Sequence, residues 1–212
     1  MPKTTIAIIG IGSIGGTIAS YAATQTTEPY ELHCLARGNY AALSEQGLEL
    51  TCPDKRKLSA PASKALHFYR KPGELPACDI LVLCVPISEN ARLLPQLKSR
   101  VRQDTVIVIL QNGLDFEPAI REHFPKNPLY SGTCWIKASH DGTSFRHIFG
   151  RDVFLGPFNR QLATTDTDAS VQALFSSMGL NIRLSDNVKS VQLTKLALNI
   201  PFFLLVAREG YC

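Results

Sequence analysis

A doubly wound α/β fold on a mostly parallel sheet is what this sequence predicts, and three observations carry the expectation. The chain opens with an apolar, β-branched run, Thr4–Ile9, followed at once by Gly10-x-Gly12-x-x-Gly15 and a stretch that suits a helix. Two later runs, Asp79–Val85 and Thr105–Leu110, are apolar without alternation, as strands covered on both faces require. Helical patterns separate these strand-like runs, which implies βαβ crossovers.

Taken in order, strand, glycine turn and helix form the context in which G-x-G-x-x-G has a mechanism. Gly10 permits the tight turn, Gly12 lets a pyrophosphate approach the backbone, and Gly15 lets helix and strand pack closely. The helix N-terminus then offers N–H groups and a positive dipole end to the phosphates. Tyr30–Ala36 is expected as the second strand, residues 38–47 as a short helix, and Leu48-x-Leu50 as a further extended piece. Residues 53–65 are polar and contain proline, so a loop or ragged hairpin is expected, and Leu66–Tyr69 follows as an edge strand. Ser88–Val101 is expected as a helix, with Leu93, Leu94, Leu97 and Val101 on one face. Tyr130–Ile136, Phe145–Phe149 and Asp152–Leu155, with a turn at Asp141-Gly142-Thr143, predict an antiparallel extension at the sheet edge. Thr165–Met178 is amphipathic through Val171, Leu174, Phe175 and Met178, Leu180–Leu184 is a last strand, and Ser185-Asp186 is expected to cap a helix running past Lys195.

Bulk composition narrows the class. The chain has 212 residues, 45% hydrophobic and 19% charged, with a formal net charge of +4, which fits a soluble protein with a substantial core. The one tight basic cluster, Lys55-Arg56-Lys57, reads as a solvated loop, so nucleic acid is not an expected partner. Cys34, Cys52, Cys78, Cys84, Cys134 and Cys212 show no CxxC spacing, and Cys34, Cys84 and Cys134 lie in apolar runs. Buried free thiols in a cytoplasmic protein are expected, with no disulfide framework and no metal site. The first residues lead straight into a core strand and no apolar run reaches membrane-spanning length, so neither a leader nor a membrane is expected.

Three constellations bear on chemistry. Arg37 closes the second strand, where an acidic residue would select NAD and an arginine accommodates the 2′-phosphate of NADP; residues 35–40 contain no acid, so NADP is expected. Gln111-Asn112-Gly113 follows a buried strand at its carboxyl end, where ligand crevices form, and Asn112 offers both donor and acceptor to a cofactor or substrate. Lys195 and Asn199 stand four residues apart on the final helix among Leu196, Ala197 and Leu198. Such surroundings lower a lysine pKa and suit a general acid, although on spacing alone a snorkelling lysine is the better reading. Pro201 leaves the Ala197 carbonyl without its helix partner.

Together these residues resemble the ketopantoate reductase (2-dehydropantoate 2-reductase) family. Gly10-Ile11-Gly12-Ser13-Ile14-Gly15, Arg37, Leu110-Gln111-Asn112-Gly113-Leu114, Asp141-Gly142-Thr143 with His147, Gly150 and Gly156, and Lys195-Leu196-Ala197-Leu198-Asn199 occur in the family's order. The resemblance implies a Rossmann-type fold that binds NADP through Gly10–Gly15, Arg37 and Asn112. It implies Lys195 as the acid that protonates the ketone oxygen, with Asn112 and Asn199 on the substrate. The reaction would be NADPH-dependent reduction of ketopantoate to pantoate on the route to pantothenate.

The sequence also departs from the pattern. Val85, followed by Pro86, stands where the family commonly carries a lysine, and Phe203 where it carries a second asparagine. The family's helical C-terminal domain has no counterpart before Cys212, so residues 1–185 are expected as the NADP-binding domain and 186–212 as the first helix of a truncated substrate domain. The apolar run Leu196–Val206 would then lie bare or be covered by a second copy in a homodimer. Two other functions remain open: a non-catalytic NADP-binding interaction protein, and a reductase of another 2-keto acid.

Overall fold

The computed structural model describes residues 3–25, 30–63 and 65–208. In chain order the elements are β1 (Thr4–Ile9), α1 (Ser13–Gln25), β2 (Tyr30–Leu35), α2 (Tyr40–Gln46), β3 (Leu48–Thr51), β4 (Lys57–Ala60), β5 (Leu66–Tyr69), β6 (Cys78–Leu83), α3 (Asn90–Leu97), β7 (Val101–Ile109), α4 (Glu117–His123), β8 (Leu129–Asp141), β9 (Ser144–Pro157), α5 (Thr165–Ser177), β10 (Asn181–Leu184) and α6 (Val188–Arg208). All the described strands join one sheet in the order β4-β3-β9-β8-β7-β6-β1-β2-β5, with β10 beside β9.

The stretch β5-β2-β1-β6-β7-β8 is parallel throughout. Setting aside the β3–β4 hairpin, it has the strand order of the doubly wound dinucleotide-binding fold, Rossmann-type as expected. The unbroken apolar runs lie at its centre because both faces are covered. Ile6 and Ile8 face a core completed by Ile18 and Tyr21 of α1 and Phe175 of α5. Ala7 and Ile9 face a second core completed by Leu93, Leu94 and Leu97 of α3 and Ile120 of α4. The winding direction reverses between β1 and β6, which opens a crevice at their carboxyl ends.

Three expectations are corrected. The helix expected over 88–101 is α3 alone, flanked by short 3-10 turns, and Val101 already begins β7. Pairing with β6 overrides helical propensity there: the Thr105 hydroxyl donates to the Cys78 carbonyl at 2.6 Å and accepts the Arg102 N–H at 2.9 Å. The antiparallel unit is not at the edge. β8 and β9 form one long hairpin, and β9 is covered on its other side by β3 along its first half and by β10 along its second. The cap of α6 falls at Asn187, whose side-chain oxygen accepts the Ser190 N–H at 3.1 Å, while Ser185 accepts the Asn187 N–H one step earlier. α6 continues through Pro201.

The change of partner along β9 is made at Gly150, which has φ +83. His147 braces the kink. Burial pushes its pKa down and keeps the ring neutral, so Nε2–H donates to the Gly150 carbonyl at 2.5 Å while Nδ1 accepts the Tyr21 hydroxyl at 2.6 Å. The sheet ends at two four-residue strands, β4 and β5. Lys55, Arg56 and Lys57 stand exposed at the head of β4, and Arg56 pairs with Asp54 at 2.7 Å.

Cys34, Cys52, Cys78 and Cys134 are buried free thiols and Cys84 is partly buried; Cys212 lies outside the described residues. Among the described residues no helix is long and apolar enough to cross a membrane. A Cβ added at Gly150 would stand 2.0 Å from the Trp135 carbonyl oxygen in a conformation that side chains rarely adopt. Gly150→Ala is therefore expected to cost about 2 kcal/mol or more in urea unfolding. Gly73→Ala, at a site with open space, should be near neutral; equal losses from both would refute the strain at the kink.

Candidate functional site

The crevice is built from loops that leave the carboxyl ends of neighbouring strands. Gly10–Gly12 follow β1, Arg37 follows β2, Arg70 follows β5, Val85 and Pro86 follow β6, and Gln111–Gly113 follow β7. At the glycine turn, Gly10 has φ +97, and a Cβ on it would meet a methyl of Val85 at 2.6 Å. A Cβ on Gly15 would stand 2.0 Å from the Gly10 carbonyl oxygen. Gly12 is different: its Cβ would meet nothing within 4 Å, because it faces the cleft. The turn packs tightly toward the protein and is open toward solvent. α1 starts at Ser13 with no acidic residue in its first turn. The shape and polarity of this cradle suit an anionic dinucleotide backbone, which Gly10–Gly15 and the helix N-terminus could hold.

The cleft in front of the turn has a volume of about 430 Å³, and three arginines, Arg37, Arg70 and Arg92, line it against one carboxylate, Glu89. Glu89 lies between two of them. It accepts from both terminal nitrogens of Arg37, at 3.2 and 3.4 Å, and from Arg92 at 2.5 and 3.1 Å. The Arg92 hydrogen bond, with Arg37 adding to it, holds the Glu89 carboxylate below its ordinary pKa. The tip of the β8–β9 hairpin closes the opposite wall. Asn39 donates to the Ile11 carbonyl at 3.4 Å and to the Gly142 carbonyl at 3.0 Å, and Ser13 hydrogen-bonds His140 at 3.0 Å.

A second locus lies beyond the β6 loop, at the end of β7. The Lys195 ammonium donates to the Asn112 side-chain oxygen at 2.8 Å. Burial lowers the Lys195 pKa. Its partner is a neutral amide, which orients the ammonium without stabilising its charge as a carboxylate would. Two further residues on the same face of α6 fasten the helix: Lys189 pairs with Asp115 at 2.7 Å, and Gln192 donates to Glu117 at 3.1 Å and to Ser131 at 3.0 Å. Ser131 in turn donates to Glu117 at 2.5 Å in the interior. Asp115 has φ +57, so the loop after Asn112 holds an uncommon backbone conformation where α6 grips it. From below, Gln111 donates to the Val85 carbonyl at 2.7 Å and exchanges hydrogen bonds with Asn90 at 2.8 and 3.1 Å.

Of the residues singled out in the sequence, Gly10, Ile11, Gly12 and Arg37 line one cleft. Ser13, Ile14 and Gly15 form the first turn of α1 beside it. Asn112 and Lys195 meet at the second locus. Asn199 is half-buried one turn beyond Lys195, and the side chain of Phe203 lies outside the described residues. Sequence reasoning missed Arg70, Arg92 and Glu89. Arg70 was recoverable, since it closes β5 as Arg37 closes β2; Glu89 arrives from a different crossover and was not. The polar stripe Lys189, Gln192, Lys195, spaced three apart along α6, was a readable signal.

The family model described as ketopantoate reductase PanE/ApbA matches residues 6–160. A 2-dehydropantoate 2-reductase from Nostoc sp. is 26% identical over 206 residues, covering 95% of this chain and 62% of the relative. The crystal structure of 2-dehydropantoate 2-reductase from Methylococcus capsulatus superposes with a TM-score of 0.78 at 25% identity, covering 97% of this chain and 64% of that one. The enzyme of the same name from Geobacter metallireducens gives 0.81 at 25% identity, covering 96% and 65%. The chain thus spans a little under two thirds of the length of these relatives.

The neutral partner of Lys195 sets an electrostatic test. Asn112→Asp places a carboxylate where the amide oxygen now accepts, and an opposite charge at that range raises a lysine pKa by about 1–3 units. NMR titration of the Lys195 side chain should show that upward shift. An unchanged titration would break the link between the two residues.

Proposed function

The chain belongs to the ketopantoate reductase family, and from that premise we propose that it carries the cofactor-binding half and the proton donor of a 2-keto acid reductase. The observation that bears most weight is the 2.8 Å hydrogen bond from Lys195 to Asn112. It joins a half-buried lysine on α6 to the loop at the carboxyl end of β7, the edge of the sheet where the glycine turn also opens.

In this reading the substrate is 2-dehydropantoate, reduced to pantoate in pantothenate biosynthesis, and the cofactor is NADP. Gly10, Ile11, Gly12, Ser13, Ile14 and Gly15 hold the pyrophosphate, and Arg37 with Arg70 and Arg92 receives the 2′-phosphate. When bound, NADPH supplies the hydride that reduces the keto carbon. Asn112 orients the Lys195 ammonium, which gives its proton to the ketone oxygen as that oxygen gains charge. Asn199 hydrogen-bonds the substrate from the next turn of the helix. Val85 lines the cleft at the position where the family resemblance leads one to expect a lysine, so the substrate contact made there is apolar, which also suits other 2-keto acids. Residues 1–185 form the cofactor domain, and 186–212 begin the substrate side.

A second reading, an NADP-binding protein that acts by association, is favoured by one observation: Leu193, Leu198 and Ile200 of α6 are 47%, 57% and 50% exposed. In that reading α6 pairs with a second copy. A dimer by sedimentation with no reduction of any 2-keto acid would support it.

The proposal is tested by titration with NADPH and NADH followed by 2-keto acid reduction. NADPH should bind tighter, and Arg37→Ala should remove the preference by weakening NADPH alone. Glu89→Gln, which frees Arg37 from its pairing, should strengthen NADPH binding. Where reduction is measured, Lys195→Ala should lower turnover about 100- to 10,000-fold. The donor must be protonated, so turnover should fall as pH rises through the Lys195 pKa, which burial places below 10.5. A preference for NADH, or a Lys195→Ala protein with near-normal turnover, would defeat the assignment.

A further inference from the structure

At the far edge of the sheet from β4, three side chains converge that the dinucleotide cleft does not use. Glu31 and His33 lie on β2, two residues apart and so on one face. His67 lies on β5 directly opposite His33 in the parallel register. That register sets the two imidazoles face to face, with centroids 4.8 Å apart and planes 7° from parallel. Glu31 Oε1 stands 3.2 Å from His67 Nε2 and 3.8 Å from His33 Nε2, and one ligand atom from each of the three residues falls within 4.8 Å of the others.

We propose that Glu31, His33 and His67 form a binding site for a divalent transition-metal cation of the zinc class, with Tyr69 as its supporting residue. The donor set is two imidazoles and a carboxylate, a combination suited to zinc and its neighbours. Tetrahedral zinc with bonds of about 2.0–2.2 Å separates its ligand atoms by about 3.3–3.5 Å, so metal binding draws the histidine pair together and turns the partly exposed His67 ring out of the stack to bring both lone pairs onto one ion. The Tyr69 hydroxyl lies 2.9 Å from His33 Nδ1. A proton on Nδ1 bonded to the phenol oxygen leaves Nε2 as the unprotonated nitrogen, 3.8 Å from Glu31 Oε1, the outer-shell arrangement that orients metal-bound histidines. The site is reachable: the His33 side chain is 6% exposed, but those of His67 and Glu31 are 33% and 35% exposed. A cation held there would tie the edge strand β5 to β2.

Equilibrium dialysis of the chain against zinc chloride at micromolar concentration, with zinc counted by mass spectrometry, is the direct test. One zinc per chain is expected, with at least about tenfold weaker binding in His67→Gln and in Glu31→Gln. Tyr69→Phe, which keeps all three ligands, should weaken binding by about 10- to 100-fold. Failure of the wild-type chain to take up zinc would overturn the site. So would zinc uptake that is unchanged in His67→Gln and Glu31→Gln, because the thiols would then be the ligands. NADPH binding is an independent readout, so a failure here leaves the cleft assignment standing.

Discussion

Where the Gly15 Cα meets the Gly10 carbonyl there is no room for another atom: a Cβ would stand 2.0 Å from that oxygen. This contact seats α1 over the end of β1 and points its first turn at the crevice. The rest of the parallel sheet is arranged about it. β1 lies between β2 and β6, so the loops that leave those strands must border the same opening. Arg37, Val85 and the glycine turn become neighbours because the strands that carry them are neighbours. The crevice follows from the topology, and its chemistry follows from which residues end each strand.

The second locus depends on a different kind of contact. α6 docks on the loop after β7 through charge and hydrogen bonds: Lys189 on Asp115, Gln192 on Glu117 and Ser131, Lys195 on Asn112. Of these, the Gln192, Glu117 and Ser131 groups are buried and mutually satisfied, which makes their geometry costly to change. Lys195 is therefore positioned by an anchor one turn away. Its own partner, an uncharged amide, is left to orient the ammonium.

Much of the fold could be read in the sequence because parallel strands buried on both faces have a plain signature. Runs such as Thr105–Leu110 announce themselves, and the amphipathic spacing of Val171, Leu174, Phe175 and Met178 marks α5. What was misread was decided by pairing at a distance. Val101 sits in a helical pattern, yet its partner Cys78 draws it into β7. The local sequence places the hairpin at an edge because nothing in it shows that β3 returns to pair with β9. In the site, Arg37, Asn112 and Lys195 were visible as residue types at strand ends and on a helix face. Glu89 was not, because the absence of an acid after β2 says nothing about a carboxylate delivered from the β6–α3 connection. Glu31, His33 and His67 escaped notice for the same reason: cross-strand register, not spacing, brings them together.

The two ends of the sheet have a further consequence. An exposed strand edge offers unpaired N–H and carbonyl groups to any other chain, and long flat apolar edges template aggregation. Here both terminal strands are only four residues long. β4 is also preceded by Lys55-Arg56, with Lys57 as its first residue, and all three are exposed charges that a strand adding to that edge would have to cover. Short length at both ends, and charge at the β4 end, are the features by which the described sheet deters a further strand from a neighbouring molecule.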